Sequence, residues 1–147
     1  MDFTDLYQQV ILDHNRSPRN FGELAEATHH ADGHNPLCGD RLTVYLQVED
    51  AAISTIRFVG EGCAISKASA SIMTEHLTGK SVAEAEEWFE KVHGMLTGSG
   101  EAVDLGEYGK LAALSGVCEF PVRVKCATLA WHTMVAALAK ESQTSTE

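Results

Sequence analysis

Basic side chains are scarce in this 147-residue chain, in which 11 Lys and Arg stand against 21 Asp and Glu. The formal net charge is −10 at pH 7 and the pI is near 5.1. Because a phosphate backbone is bound through clustered Lys and Arg, this balance argues against nucleic acid as a partner. The acidic excess instead favours solubility and steering toward a basic patch on another protein.

Long apolar runs are absent as well. No segment approaches the roughly 20 consecutive apolar residues that span a bilayer. The first residues, Met-Asp-Phe-Thr-Asp-Leu, lack the basic start and apolar stretch of a secretory signal. We therefore expect a cytoplasmic protein. In that reducing compartment, the four cysteines are expected to be thiols, metal ligands or catalytic groups rather than disulfides.

Internal repeats, low-complexity segments and linkers that could divide the chain are also missing. With 44% hydrophobic residues, a chain of this length can build one ordinary core. We expect a single domain over residues 1–147, whose polar end, residues 141–147, is a frayed tail.

Alternating and helical patterns of apolar residues predict the fold class. Leu42, Val44, Leu46 and Val48 alternate with polar side chains, and a second strand from Ile53 to Val59 completes an antiparallel hairpin. A short strand is also expected near His30. Five helices are expected: from Phe3 to the turn at Asn15, after Cys63, from the Ser81–Glu84 capping box to Gly98, from Leu105 to Leu114, and after Pro121. Strands first and helices afterwards indicate an α+β fold, in which a small antiparallel sheet of about three strands packs against several helices.

The hexapeptide Asn-Pro-Leu-Cys-Gly-Asp at positions 35–40 is the most informative motif. In an extended chain, residues two apart point the same way, so Cys38 and Asp40 can reach one metal ion together. Gly39 lets the backbone bend around that ion. The alternative is a turn before a strand with an incidental cysteine, and from this motif alone both interpretations stay open.

Cys63 and Cys126 each lie near the start of a predicted helix. The partial positive charge at a helix N-terminus stabilises a thiolate, which is the form that ligates metals or attacks sulfur. Arg123 and Lys125 favour ionisation of Cys126 further. The alternative for both cysteines is a small, buried core residue.

Three thiols and a carboxylate suit tetrahedral zinc, because thiolates are soft ligands and a carboxylate is an acceptable fourth. We expect Cys118 to lie outside such a site, since its neighbours from Gly116 to Pro121 are typical of a turn. The seven histidines are the main competing ligands. Solvated or otherwise satisfied positions are expected for all of them, namely His14, His29, His30, His34, His76, His93 and His132.

Three ordered motifs give the chain a resemblance to a known family over nearly its whole length. They are Asn-Pro-x-Cys-Gly-Asp at 35–40, Gly-x-Gly-Cys-Ala-Ile-Ser at 60–66 and Phe-Pro-x-Arg-x-Lys-Cys-Ala at 120–127. Together they resemble the IscU-like superfamily, and within it the SufU branch. IscU scaffolds have a histidine where this chain has Lys125, and residues 92–116 resemble an insertion that SufU proteins carry.

The resemblance implies a function and a set of site residues. The implied zinc ligands are Cys38, Asp40, Cys63 and Cys126. Cys38 would accept sulfur from the persulfide of a SufS-type cysteine desulfurase once a partner histidine replaces it on the metal. Downstream iron–sulfur assembly proteins would then receive the sulfur. Arg123 would orient Asp40 or stabilise the released thiolate.

The sequence leaves two other functions open. One is an IscU-type scaffold that carries a transient iron–sulfur cluster, and the other is a binding module with structural zinc. Lys125 in place of histidine favours the zinc-dependent sulfurtransferase over the scaffold. The single carboxylate favours it over a structural site, since closed structural sites usually use cysteine and histidine.

Overall fold

The computed structural model describes residues 3–36, 39–97, 105–140 and 143–145. The helices are α1 (Phe3–Arg16), α2 (Ala64–Leu77), α3 (Val82–Thr97), α4 (Leu105–Tyr108) and α5 (Pro121–Leu138), and a 3₁₀ segment covers Gly109–Glu119. The strands are β1 (His29–Asn35), β2 (Asp40–Glu49), β3 (Ala52–Glu61) and β4 (Gln143–Ser145). Within this part of the chain, every helix is too short or too polar to cross a lipid bilayer.

The sheet confirms the predicted hairpin and adds a strand. Its order is β3-β2-β1-β4, with β1, β2 and β3 antiparallel. Asp50 and Ala51 join β2 to β3 with positive φ values of 52° and 61°, as in the two-residue turns that match strand twist. The tail that was expected to fray contains β4, which pairs parallel to β1 from Asp32 to His34.

Helix α5 forms the centre of the hydrophobic core. It packs on β1 and β2 and contacts α2 and α3, while α1 packs on α2. It is buried on nearly all sides, with ten buried residues between Cys126 and Ala137, as expected of a helix inside a core. A Cβ added to Gly33 of β1 would lie 1.9 Å from the Thr133 hydroxyl, so only glycine allows this helix to approach the strand so closely. That approach brings Cys126 against the ends of β1 and β2.

Two helical segments differ from their predicted form. The helix expected from Leu105 to Leu114 is α-helical only to Tyr108, because Gly109 has a φ of +55° that the α-helix cannot accommodate, and a 3₁₀ segment follows. The backbone of Cys118, which was expected in a turn, belongs to that segment. Helix α1 extends past the predicted turn at Asn15 and ends at Arg16.

The predicted capping box at the start of α3 is confirmed. The Glu84 backbone N–H donates to Ser81 Oγ at 3.0 Å, and the Ser81 N–H donates to Glu84 Oε1 at 3.1 Å. These reciprocal bonds also hold the pKa of Glu84 below its usual value. Each satisfies a backbone donor that the helix itself leaves free.

His76 makes the stability of the fold sensitive to acid. Its ring packs edge-on against Trp88 with centroids 4.2 Å apart, and burial, helped by Lys80 and Lys91, lowers its pKa to about 4. Since the unfolded chain takes up this proton near pH 6.5 and the folded chain only near pH 4, the free energy of unfolding falls as pH drops through that window. We expect the loss to be about 1 kcal/mol at pH 5, after allowance for partial exposure.

Urea unfolding of chelator-treated protein at pH 7.5 and 5.0 measures this loss. His76→Phe keeps a ring against Trp88 and should reduce the difference between the two pH values. Val92→Ala, which removes buried volume from α3, the helix that contains Trp88, should lower stability equally at both pH values. If the free energy of unfolding of His76→Phe still falls between pH 7.5 and 5.0 as much as that of the unmodified protein, His76 is not the source of the acid sensitivity.

Candidate metal centre

Three of the four predicted ligands converge at one point. One ligand atom from each of Asp40, Cys63 and Cys126 lies within 4.8 Å of the others. They come from the first residue of β2, the residue before α2 and the second turn of α5. The fourth predicted ligand, Cys38, lies outside the described residues.

The two oxygens of Asp40 have different roles. The side chain is fully buried. Oδ1 accepts the backbone N–H of Cys63 at 2.8 Å, which ties the start of α2 to the start of β2. Oδ2 lies 4.0 Å from Cys63 Sγ and faces the thiols. The first oxygen therefore fixes the carboxylate, and the second is available to a metal.

Cys63 is the N-cap residue of α2, as its sequence context predicted. Its Sγ accepts the backbone N–H of Ser66 at 3.4 Å. A helix N-terminus carries partial positive charge, so this position suits an anionic metal ligand.

Gly62 is a site residue that the sequence analysis missed, having included it only in the motif at 60–66. A Cβ at this position would lie 2.5 Å from Asp40 Oδ1 and 3.0 Å from the Asp40 Cβ. No side chain fits there while the carboxylate keeps its place. The signal in the sequence was the glycine immediately before a candidate ligand.

Gly62→Ala is therefore expected to displace Asp40 and weaken metal binding about tenfold or more, as changes next to a metal ligand commonly do. Chelator competition on the purified protein measures the affinity. Gly79→Ala is a matched control, because Gly79 also needs glycine (φ +87°) but has no atom within 4 Å of the added Cβ. The control should lose about 1 kcal/mol of stability and keep its metal. Equal affinities in the two variants would contradict the account.

Asn35 is the second residue that the sequence analysis missed. It is fully buried, and its Nδ2 donates to Asp40 Oδ2 at 3.4 Å and to Cys126 Sγ at 3.6 Å. Strand alternation places it on the inner face with Ala31 and Gly33, and it pairs directly with Asp40 across the ladder. A strand prediction that reached Asn35 would have identified it.

The remaining predicted residues lie at the rim or away from the site. Arg123 is exposed in the first turn of α5, one helical turn before Cys126, and Lys125 is half-buried. The side chain of Cys118 is outside the described part. The roles suggested for Arg123 and Cys118 stay predictions.

No histidine belongs to the metal-ligand group found among the described residues. His30, near which a short strand was expected, and His34 both lie in β1 and alternate with its buried residues, so they face away from Asp40. His30 stacks on Tyr45 on that outer face. His14 is buried within hydrogen-bonding distance of Ser71, 2.7 Å away.

The donor set fits zinc. Two thiolates at about 2.3 Å and a carboxylate oxygen at about 2.0 Å from one ion would lie roughly 3.5 to 3.8 Å apart in a tetrahedron. The observed separations, 4.0 Å between Cys63 Sγ and Asp40 Oδ2 and under 4.8 Å for the whole group, need only a small contraction. Three ligands leave one tetrahedral position for another donor.

Known proteins resemble this chain in sequence and in structure. The family model for the NifU-like N terminal domain matches residues 6–145. A zinc-dependent sulfurtransferase, SufU of Bacillus subtilis, is 41% identical over 92% of this chain and 91% of its own length. An iron–sulfur cluster assembly scaffold protein, IscU of Thermotoga maritima, is 40% identical over 97% of this chain and 99% of its own. A crystal structure from Fervidobacterium islandicum, assigned to iron–sulfur cluster assembly in the SUF system, superposes with a TM-score of 0.83 at 33% identity, over 91% of this chain and 97% of that one.

Proposed function

Because the chain belongs to the family of NifU-like N-terminal domains, we propose that it is a zinc-dependent sulfurtransferase. It takes persulfide sulfur from a SufS-type cysteine desulfurase and passes it toward iron–sulfur cluster assembly. The observation that carries the proposal is the convergence of Asp40, Cys63 and Cys126, since Cys38 precedes Asp40 by only two residues.

Cys38 completes the proposed ligand set. Covalent connectivity keeps its Cα within two Cα–Cα steps, about 7.6 Å, of the Cα of Asp40. The ends of the loop are held by the cross-strand pair of Asn35 and Asp40. Asp40 itself belongs to the ligand group, so this short loop supports a fourth thiolate on the same ion.

The chemistry is a thiolate attack on a sulfane sulfur. Bound zinc would hold the thiols deprotonated without taking part in redox chemistry. The Cys38 thiolate attacks the outer sulfur of the desulfurase persulfide, and a new S–S bond forms as the old one breaks. The desulfurase thiolate leaves with the electron pair, so no external oxidant or reductant is needed. Arg123 lies one helical turn from Cys126 at the exposed rim, where its charge would stabilise the anionic thiolate during the transfer.

A scaffold for an iron–sulfur cluster is the second candidate, since the Thermotoga maritima relative carries that name. Lys125 favours the sulfurtransferase, because it precedes Cys126 where IscU scaffolds have a histidine. An ammonium group has no lone pair for a metal. The reaction also needs free thiols, which suits a reducing cytoplasm.

Metal analysis and a desulfurase assay test the proposal together. Protein purified anaerobically without added metal should contain one zinc per chain and no iron–sulfur absorbance. At saturating concentration it should raise the turnover of a SufS-type desulfurase and show little activity alone. A cluster spectrum without zinc would support the scaffold instead, and zinc without stimulation would reject the acceptor role.

A further inference from the structure

The Asn35 amide bridges two of the proposed metal ligands. It is completely buried at the last position of β1. One side-chain nitrogen lies 3.4 Å from Asp40 Oδ2 and 3.6 Å from Cys126 Sγ. An amide nitrogen carries two hydrogens, which is the number that two acceptors require.

The orientation of this amide follows from its neighbours. The structure directs the amide nitrogen, which is a donor, toward Asp40 Oδ2 and Cys126 Sγ. Rotation of the amide would instead place its oxygen, an acceptor, against the carboxylate oxygen, which is unfavourable in a buried site. The Nδ2 group therefore faces Asp40 and Cys126.

We propose that Asn35 is a positioning residue that holds Asp40 and Cys126 in ligand geometry through this forked amide. Asp40 Oδ1 is already fixed by the Cys63 N–H, and Asn35 fixes Oδ2 toward the metal position. The same amide supplies an N–H···S hydrogen bond to Cys126, which spreads the sulfur charge and reduces its repulsion from the carboxylate. Hydrogen-bond partners of metal-binding residues orient these residues and tune their affinity for the metal.

The position of Asn35 gives this clamp a further consequence. It is the last residue of β1 and pairs with Asp40, the first residue of β2. The clamp therefore also ties these two strand ends to α5 through Cys126. The inference rests on the proposed zinc site, but it does not depend on sulfur transfer.

Cobalt binding tests the clamp without any desulfurase. Asn35→Leu, similar in size but without donors, should bind Co²⁺ about 10- to 100-fold more weakly than the natural protein. Its thiolate-to-cobalt absorption band should move to longer wavelength, because the sulfur lone pairs lose the N–H that stabilises them. Thr133→Val, which removes a different buried hydrogen bond, from the Thr133 hydroxyl to the Leu129 carbonyl within α5, should keep both affinity and band position.

A measurement on the unmodified chain remains decisive if Asn35→Leu does not fold. In the cadmium-113 form, proton-detected correlation should link one Asn35 side-chain N–H to the metal through the Cys126 sulfur. Absence of that correlation, or unchanged cobalt affinity and spectrum in a folded Asn35→Leu, overturns the clamp. If the unmodified protein binds neither metal, the proposed function fails first, so the two failures are distinguishable.

Discussion

Replacement of Cys38 by serine is expected to abolish sulfur uptake and to return desulfurase turnover to its basal rate. The other three proposed ligands are built into the fold: Asp40 begins β2, Cys63 caps α2 and Cys126 is buried in α5. Moving any of them off a metal would disturb a packed element. Under the proposed function, Cys38 is therefore the ligand expected to leave the metal while the other three stay.

The zinc content of Cys38→Ser separates a role in transfer from a role in folding. We expect partial retention of zinc, because Asp40, Cys63 and Cys126 remain in place. Cys118→Ser is the matched control for losing a thiol, and it should retain full zinc and full desulfurase stimulation. Full turnover in Cys38→Ser would show that sulfur enters elsewhere.

Substitution of Cys63 or Cys126 by serine should lower stability more than Cys38→Ser does. Either change removes a thiolate that the fold holds in place, and zinc should fall from one per chain to nearly none. A metal that binds only the folded state adds about 4 kcal/mol when its free concentration is a thousand times its Kd, and that contribution is lost with the ligand.

Burial of Asp40 adds to this loss. Without zinc, its fully buried carboxyl group would lack the metal partner and keep hydrogen-bond donors such as the Cys63 N–H. Thermal unfolding of Cys126→Ser with and without chelator measures the effect, since the chelator should lower the midpoint of the natural protein and leave the variant unchanged. If Cys126→Ser keeps its zinc and unfolds at the same midpoint temperature as the natural protein, Cys126 is not a zinc ligand.

The sequence predicts the elements whose periodicity is local. Alternation in β2 and β3, the capping box at Ser81 and the helices after Cys63 and Pro121 are all confirmed. The motifs also predicted the family, which the match over residues 6–145 confirms. Local patterns suffice here because each element buries one face and carries its own start signal.

Features that depend on distant contacts could not be predicted in the same way. Strand β4 is only three residues long and exists through its pairing with β1. Gly62 matters because the Asp40 carboxylate occupies the space where its side chain would be. Asn35 matters because α5 brings Cys126 within reach of its amide. Each of these contacts joins residues far apart in the sequence, so a local pattern can suggest the position but not its partner.

Mapping of the transferred sulfur tests the central claim most directly. The zinc-loaded chain is incubated with a SufS-type desulfurase and cysteine, thiols are blocked, and peptides are searched for the mass of one added sulfur. We predict that this increment lies on the peptide containing Cys38 and requires the desulfurase. An increment on Cys126 or Cys118, or none at all under turnover, would contradict sulfur acceptance at Cys38.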